Sequence, residues 1–166
     1  MSEIRRINDD DGEAERVVQL WDRSCREDPD GGPLSAQGQR NLKRMLAMLA
    51  WHRDSFCLVA EAAEQGGEQS RGQGIVGYVL GQIDTGDGLL PGAVGLINEM
   101  YVMPEAPNAE QIRLRLLEAA VAKLRADGAK WAIRSTMDAN DEGTRRLFER
   151  LGFTADMVTL SRYPEE

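Results

Sequence analysis

The chain has 166 residues, 42% of them hydrophobic, and a net charge of −8, which suits one globular domain with a sizeable core and excludes a disordered chain. The acidic balance argues against nucleic acid as a partner and suits a cationic small molecule or a basic peptide. No apolar run is long enough to span a membrane, and the polar start MSEIRRINDDDGE does not read as a signal peptide, so no membrane role is expected. Cys25 and Cys57 lack metal-type spacing and point to a reduced, cytoplasmic setting with no metal site.

In chain order, Glu3 to Ile7 reads as a short strand. Asp9, Asp10 and Asp11 then favour the start of a helix carrying Val17, Val18, Leu20 and Trp21 and stopping by Pro29. Residues 28–33, DPDGGP, form a turn signal, and Ser35 is placed to cap a second helix with Leu42, Met45, Leu46 and Leu49 on one face. Phe56 to Ala60 and Ile75 to Leu80 read as strands separated by a polar, glycine-rich loop. Gly77 and Gly81 allow close approach or a bulge.

The most informative stretch runs from Val94 to Gly128. Val94 to Met103 has the composition of a buried strand, and Pro104 and Pro107 end it because proline cannot donate to a ladder. Asn108 is placed as an N-cap, with Gln111 able to reach back. Ile112, Leu116, Ala119 and Ala120 make the apolar line of a long helix, and Gly128 can stop it. Such a strand–turn–helix aims unpaired N–H groups into the turn, which permits an anion there without requiring one. Trp131 to Met137 reads as a strand, residues 138–141 as caps of a helix ending at Leu151-Gly152, and Phe153 to Tyr163 as a closing strand.

The strand at 94–103 with the helix at 108–127, together with the later segment NDEGTRRLFERLGF at 140–153, resembles the GNAT N-acetyltransferase superfamily. The match covers about the last seventy residues well and the earlier part only in element order. The resemblance implies an α/β (α+β) fold in a single domain over 1–166. Its sheet would be mixed, mostly antiparallel and twisted, of about six to seven strands flanked by about four helices. It further implies an acyl-CoA-dependent N-acyltransferase, moving acetyl from acetyl-CoA, or another acyl group from its acyl-CoA, to a primary amine of a small molecule or peptide. A homodimer rests on the resemblance alone.

By the same resemblance, Glu99 matches a glutamate that takes the proton from the amine, directly or through water; an ammonium has no lone pair with which to attack a thioester. Its plain alternative is a strand-edge carboxylate. Met100, Tyr101 and Val102 match the backbone that pairs with the pantetheine arm and polarises the thioester carbonyl. Asn108, Ala109, Gln111, Ile112 and Arg113 fall in the pyrophosphate turn, where the family carries an arginine or glutamine and two spaced glycines. Neither glycine is present, Glu110 adds negative charge, and Arg113 or Arg115 could compensate. Asn140, or Asp141 by strict spacing, matches an asparagine that contacts the pantetheine, and capping is an equal reading. Phe148 stands where the family often has a tyrosine that protonates the departing thiolate, and phenylalanine cannot do so.

Other features read more plainly. Residues 71–74, RGQG, precede a strand rather than opening a helix and are read as loop. His52, the only histidine, reads as a capping or surface residue, and Cys57 as a core thiol. Trp21, Asp22, Glu27, Asp28 and Asp30 read as a solvated helix face, the alternative being the lining of a site for a cationic acceptor. Two functions stay open: the acyltransferase, and a catalytically weak or silent binding module on the same fold, suggested by the missing glycines and Phe148.

Overall fold

The computed structural model describes residues 2–62, 74–89, 91–137 and 141–157. They fall into two compact units, residues 1–136 and 137–166. In the first unit, β1 (Glu3–Arg6), β2 (Ser55–Glu61), β3 (Ile75–Asp84), β4 (Val94–Val102) and β5 (Ala132–Ser135) form one sheet in the order β1-β2-β3-β4-β5. The first four strands are antiparallel and β5 runs parallel to β4. The parallel step needs a crossover, and α3 (Ala109–Ala126) supplies it.

Helices α1 (Asp11–Glu27) and α2 (Ala36–Leu49) form their starts as their sequences dictate. The Asp10 side chain accepts from the N–H groups of Gly12 and Glu13, and Ser35 Oγ accepts from Gly38. Val17, Val18, Leu20, Leu42, Leu46 and Leu49 then join Cys57, Val59, Tyr78, Leu80 and Tyr101 in a core on one sheet face. Met45, expected on that buried face, is 39% exposed, because α2 needs only one narrow stripe to cover the sheet. The opposite face is packed by Ile112, Leu116, Leu117, Ala120 and Leu124 of α3. Each fully buried leucine contributes about 1.5–3 kcal/mol. Gly95 lies close against the end of α3: a Cβ there would lie 3.0 Å from Ala129 Cβ and 3.1 Å from Leu124 Cβ.

A buried ion pair fastens β1 to α1. Glu13 is 1% exposed and receives Arg5 Nη2 at 2.9 Å and Nη1 at 3.0 Å, while Arg5 also holds Glu61. Burial pushes the Glu13 carboxyl up, but hydrogen bonds from Arg5 and Asn8 outweigh it and hold it below the usual carboxylate range.

The second unit contains α4 (Glu142–Arg150), capped by the Asp141 side chain on the Thr144 N–H at 2.9 Å. Its end explains the Leu-Gly-Phe sequence. Gly152 turns left-handed at φ 81, the Phe153 N–H reaches back to the Phe148 carbonyl, and the two rings meet edge-to-face at 5.0 Å.

Among the described residues there are four α-helices, as expected, and a sheet of five strands rather than six or seven. The closing strand expected from Phe153 does not begin within residues 153–157, and its remainder lies outside the described residues. β5 is also shorter than the expected Trp131–Met137: its pairing with β4 runs only from Val94–Ala132 to Ile97–Ser135. β3, in contrast, extends to Asp84, since its pairing with β4 runs from Gly77–Val102 through to Asp84–Val94.

Candidate active site

β4 changes face midway. Leu80 pairs with Glu99 and Gly81 with Ile97, so Asn98 is an extra residue with no opposite number on β3. Before it, Gly95 faces α3. After it, Tyr101 faces α1, in the core with Trp21 and Tyr78. Strict alternation would keep residues 95, 97, 99 and 101 on one face. The bulge therefore turns Glu99 from the α3 face to the α1 face, beside Leu80 and diagonal to Tyr78.

There Glu99 is half-buried, and burial pushes its carboxyl up from the usual carboxylate range. Among the described residues no cation or hydrogen-bond donor engages it. Its charge is felt by Cys25 of α1 and by Tyr78 of β3, whose thiol and phenol are pushed up by burial first and by Glu99 second. A carboxylate held in this way is more basic than one in water and sits where a proton can be accepted.

The rings around it form a row. Trp21 stacks on Tyr78 at 5.7 Å and 13°, and Tyr78 meets Tyr101 at 6.4 Å. Tyr101 Oη–H donates to Glu27 Oε2 at 2.9 Å, and the Leu34 N–H donates to Asp22 Oδ1 at 2.6 Å. The end of α1 is thus engaged rather than a wholly solvated face, because Trp21, Asp22 and Glu27 each have a partner inside the fold. Asp28 and Asp30 remain exposed, with Asp28 bonding the N–H groups of Asp30 and Gly31. Arg23 grips Glu105 at 2.5 and 2.9 Å and Glu27 at 2.7 Å, which ties α1 to the turn after β4.

The outer edge of β4 opens after the bulge. The β4–β5 ladder ends at Ile97–Ser135, where Ser135 Oγ–H donates to the Ile97 carbonyl at 3.1 Å. From Glu99 to Val102 the only partner strand among the described residues is β3. The Met103 N–H bonds the Val76 carbonyl, so alternation directs the backbone of Glu99 and Tyr101 to β3 and that of Met100 and Val102 to the open edge. Of the three residues grouped by sequence, Met100 and Val102 offer backbone there, whereas Tyr101 contributes its ring and hydroxyl on the α1 side.

The turn before α3 follows. Asn108 occupies the N-cap position, but in the left-handed region (φ 60, ψ 40), and its side chain makes no capping bond. This corrects the expected capping role: the left-handed backbone aims the side chain away from the first-turn N–H groups. Asparagine tolerates this conformation better than most residues, so the turn achieves without glycine a shape that glycine makes easy. The Ala109 N–H is taken by the Ala106 carbonyl, and the Ile112 N–H by Asn108. Gln111 is exposed, Ile112 buried in the core under α3, and Arg113 half-buried. Arg115 donates to the Ser2 carbonyl at 2.7 Å and is thereby drawn toward the start of β1.

Asn140 lies outside the described residues. Phe148 belongs to the second unit, where its ring clasps Phe153. His52 Nδ1 accepts from the Asp54 N–H at 3.2 Å, and Cys57 is fully buried with its thiol pushed up by burial, so both have structural places. Tyr78 and Cys25 did not stand out in the sequence. The pairing of Tyr78 with Tyr101 and of Leu80 with Glu99 is what groups them, and pairing across a bulge is not written in either strand alone.

These features have relatives. The family model described as "Acetyltransferase (GNAT) family" matches residues 15–153. No curated protein matches the chain. Among solved structures, a transcriptional regulator from Bacillus halodurans C-125 superposes with a TM-score of 0.72 at 19% identity, covering 98% of this chain and 99% of that one. Glucosamine-6-phosphate N-acetyltransferase from Arabidopsis thaliana gives 0.71 at 13% identity over 99% of both chains. An aminoglycoside acetyltransferase from an uncultured soil metagenomic sample, in complex with sisomicin, gives 0.67 at 14% identity over 99% of this chain and 96% of that one. At such identities the structural likenesses speak to the fold, while the matched family model spans most of the sequence: the chain belongs to the GNAT family of acetyltransferases.

Proposed function

We propose that the protein transfers an acetyl group from acetyl-CoA to a primary amine of a small molecule, by direct attack of the amine. The observation that carries this reading is the bulge at Asn98. It sets a basic, half-buried Glu99 on the α1 side of a strand whose next residues, Met100 and Val102, direct backbone toward the open edge.

The chemistry follows from that arrangement. The thioester arm lies along the open edge as an added strand, with the Met100 N–H as donor to its carbonyl oxygen. The acceptor enters from the α1 side as an ammonium, and Glu99 takes its proton. The nitrogen lone pair then attacks the carbonyl carbon, the C–S bond breaks, and CoA leaves as its thiolate, a good leaving group because thiols are fairly acidic. The thiolate takes up the second nitrogen proton, which leaves the amide and free CoA thiol. The turn at 104–108, Gln111 and Arg113 face the diphosphate, with the α3 dipole in support. The chain acts in this reading as one functional domain. Two structural neighbours are named for amino-sugar substrates, which supports an amine on a polar small molecule.

A second reading has its own observation. Glu110 places a carboxylate in the first turn of α3, and the turn lacks glycines, so the fold could serve as a binding module without turnover. Calorimetry with acetyl-CoA at low and moderate salt, followed by thiol release with an amine panel, separates the two. Salt-sensitive binding with turnover supports transfer. Absence of binding to any acyl-CoA overturns it.

A further inference from the structure

Tyr78 presents an anomaly. Its residue is 0% exposed, and its hydroxyl is buried without a hydrogen-bond partner among the described residues. Burying an unpaired hydroxyl is unfavourable, and phenylalanine would fill the same space with the same stack on Trp21. The hydroxyl therefore has no packing reason to be there. One strand away, on the same face and diagonal to it, Glu99 is a half-buried carboxylate with no donor of its own among the described residues. A lone donor and a lone acceptor thus share one face of the sheet.

A single water between them would satisfy both: its oxygen would accept from Tyr78 O–H and from the N–H of an acceptor, and one of its own hydrogens would be donated to Glu99. We propose that Tyr78 is a positioning residue, whose hydroxyl orients the water that carries the acceptor's proton to Glu99. In that step an N–H bond of the ammonium breaks and its proton joins the water. The water's proton passes to the Glu99 carboxylate, and the nitrogen keeps the electron pair that attacks the thioester. This rests on the acyl-transfer reading and adds a residue to it. Besides Glu99, the titratable groups near enough to act on the Tyr78 hydroxyl among the described residues are Cys25 from α1, Cys57 from β2 and Tyr101 from β4. Cys57 and Cys25 carry thiols pushed up by burial, and Tyr101 donates its hydroxyl to Glu27. None of them supplies the missing acceptor.

The test is Tyr78→Phe. It melts at or above the wild-type temperature, since no bond between described residues is lost. Its kcat falls about tenfold or more with the KM for acetyl-CoA unchanged. A water that accepts a hydrogen bond is a better donor to a carboxylate, so the acidic limb of kcat/KM moves to higher pH in the variant. An unchanged limb and unchanged kcat overturn the proposal. The double variant Glu99→Gln/Tyr78→Phe is no slower than Glu99→Gln alone; additive losses overturn it. A carbon-13 titration of the Glu99 carboxyl, read without substrate, gives a higher midpoint in Tyr78→Phe than in wild type, and identical midpoints overturn the link. A wild-type protein that acetylates no amine overturns the acyl-transfer reading instead, and the titration then decides the Tyr78–Glu99 link by itself.

Discussion

Tyr101 Oη donates to Glu27 Oε2 across 2.9 Å, joining the strand just past the bulge to the last turn of α1. Because Arg23 bridges Glu27 and Glu105, the same carboxylate also connects to the turn that leads into α3. Burial first, and the bond to Glu27 second, push the Tyr101 phenol up to about 12. Its absorbance titration in the folded protein should therefore show no phenolate below about pH 11. Tyr101→Phe should cost about 1 kcal/mol, the net worth of one such bond, measured by urea unfolding.

Glu99→Gln should have opposite effects on rate and stability. Transfer should slow by roughly 10²–10⁴-fold, the usual contribution of a positioned base. The folded carboxyl is raised, so between its unfolded and folded values the native state binds more protons, and stability falls as pH rises through that window. Removing the charge should thus raise stability at neutral pH, by roughly 0.5–2 kcal/mol, checked by thermal melting. In the wild type, kcat/KM should rise with pH through a limb lying above the ordinary carboxylate range.

The Arg5–Glu13 pair obeys the reverse sign. The Glu13 carboxyl is depressed, so its stabilisation is present above the unfolded value of about 4.3 and is lost as pH falls through the folded value. Arg5→Met leaves a buried carboxylate without its cation and should cost about 3 kcal/mol at pH 7. Chemical denaturation at pH 7 and in a series descending through pH 3 measures both effects.

Gly95→Val should destabilise the fold by about 1–3 kcal/mol, because the added atoms meet Ala129 and Leu124 at about 3 Å. Leu116→Ala should cost about 2–5 kcal/mol, since that side chain is fully buried. Glu99 lies on the far side of β4 from this contact. Residual transfer per folded molecule should therefore be closer to wild type in both variants than in Glu99→Gln, as measured by activity against the folded fraction.

Local signals carried much of the fold. Asp10, Ser35 and Gly128 mark helix ends because capping and left-handed stops depend on one residue and its near neighbours. The place of Glu99 on the central strand was legible, but the face it takes was not, since the bulge at Asn98 decides that. Nor was the meaning of Trp21, since a tryptophan on a charged helix looks solvated until Tyr78 is known to stack beneath it. Asn108 shows the same limit in reverse. Its position as N-cap was legible, but a left-handed backbone depends on the five-residue turn before it and not on the residue type alone.

The extra residue at Asn98 lets one strand answer to two sets of constraints. Gly95 and Ile97 fit beneath α3, whereas Glu99 and Tyr101 turn toward α1. Substitutions that retune the chemistry can therefore accumulate in the second half without disturbing the packing of the first. Loss of that single position would couple the two again, sending the Glu99 carboxylate into the hydrophobic layer under α3.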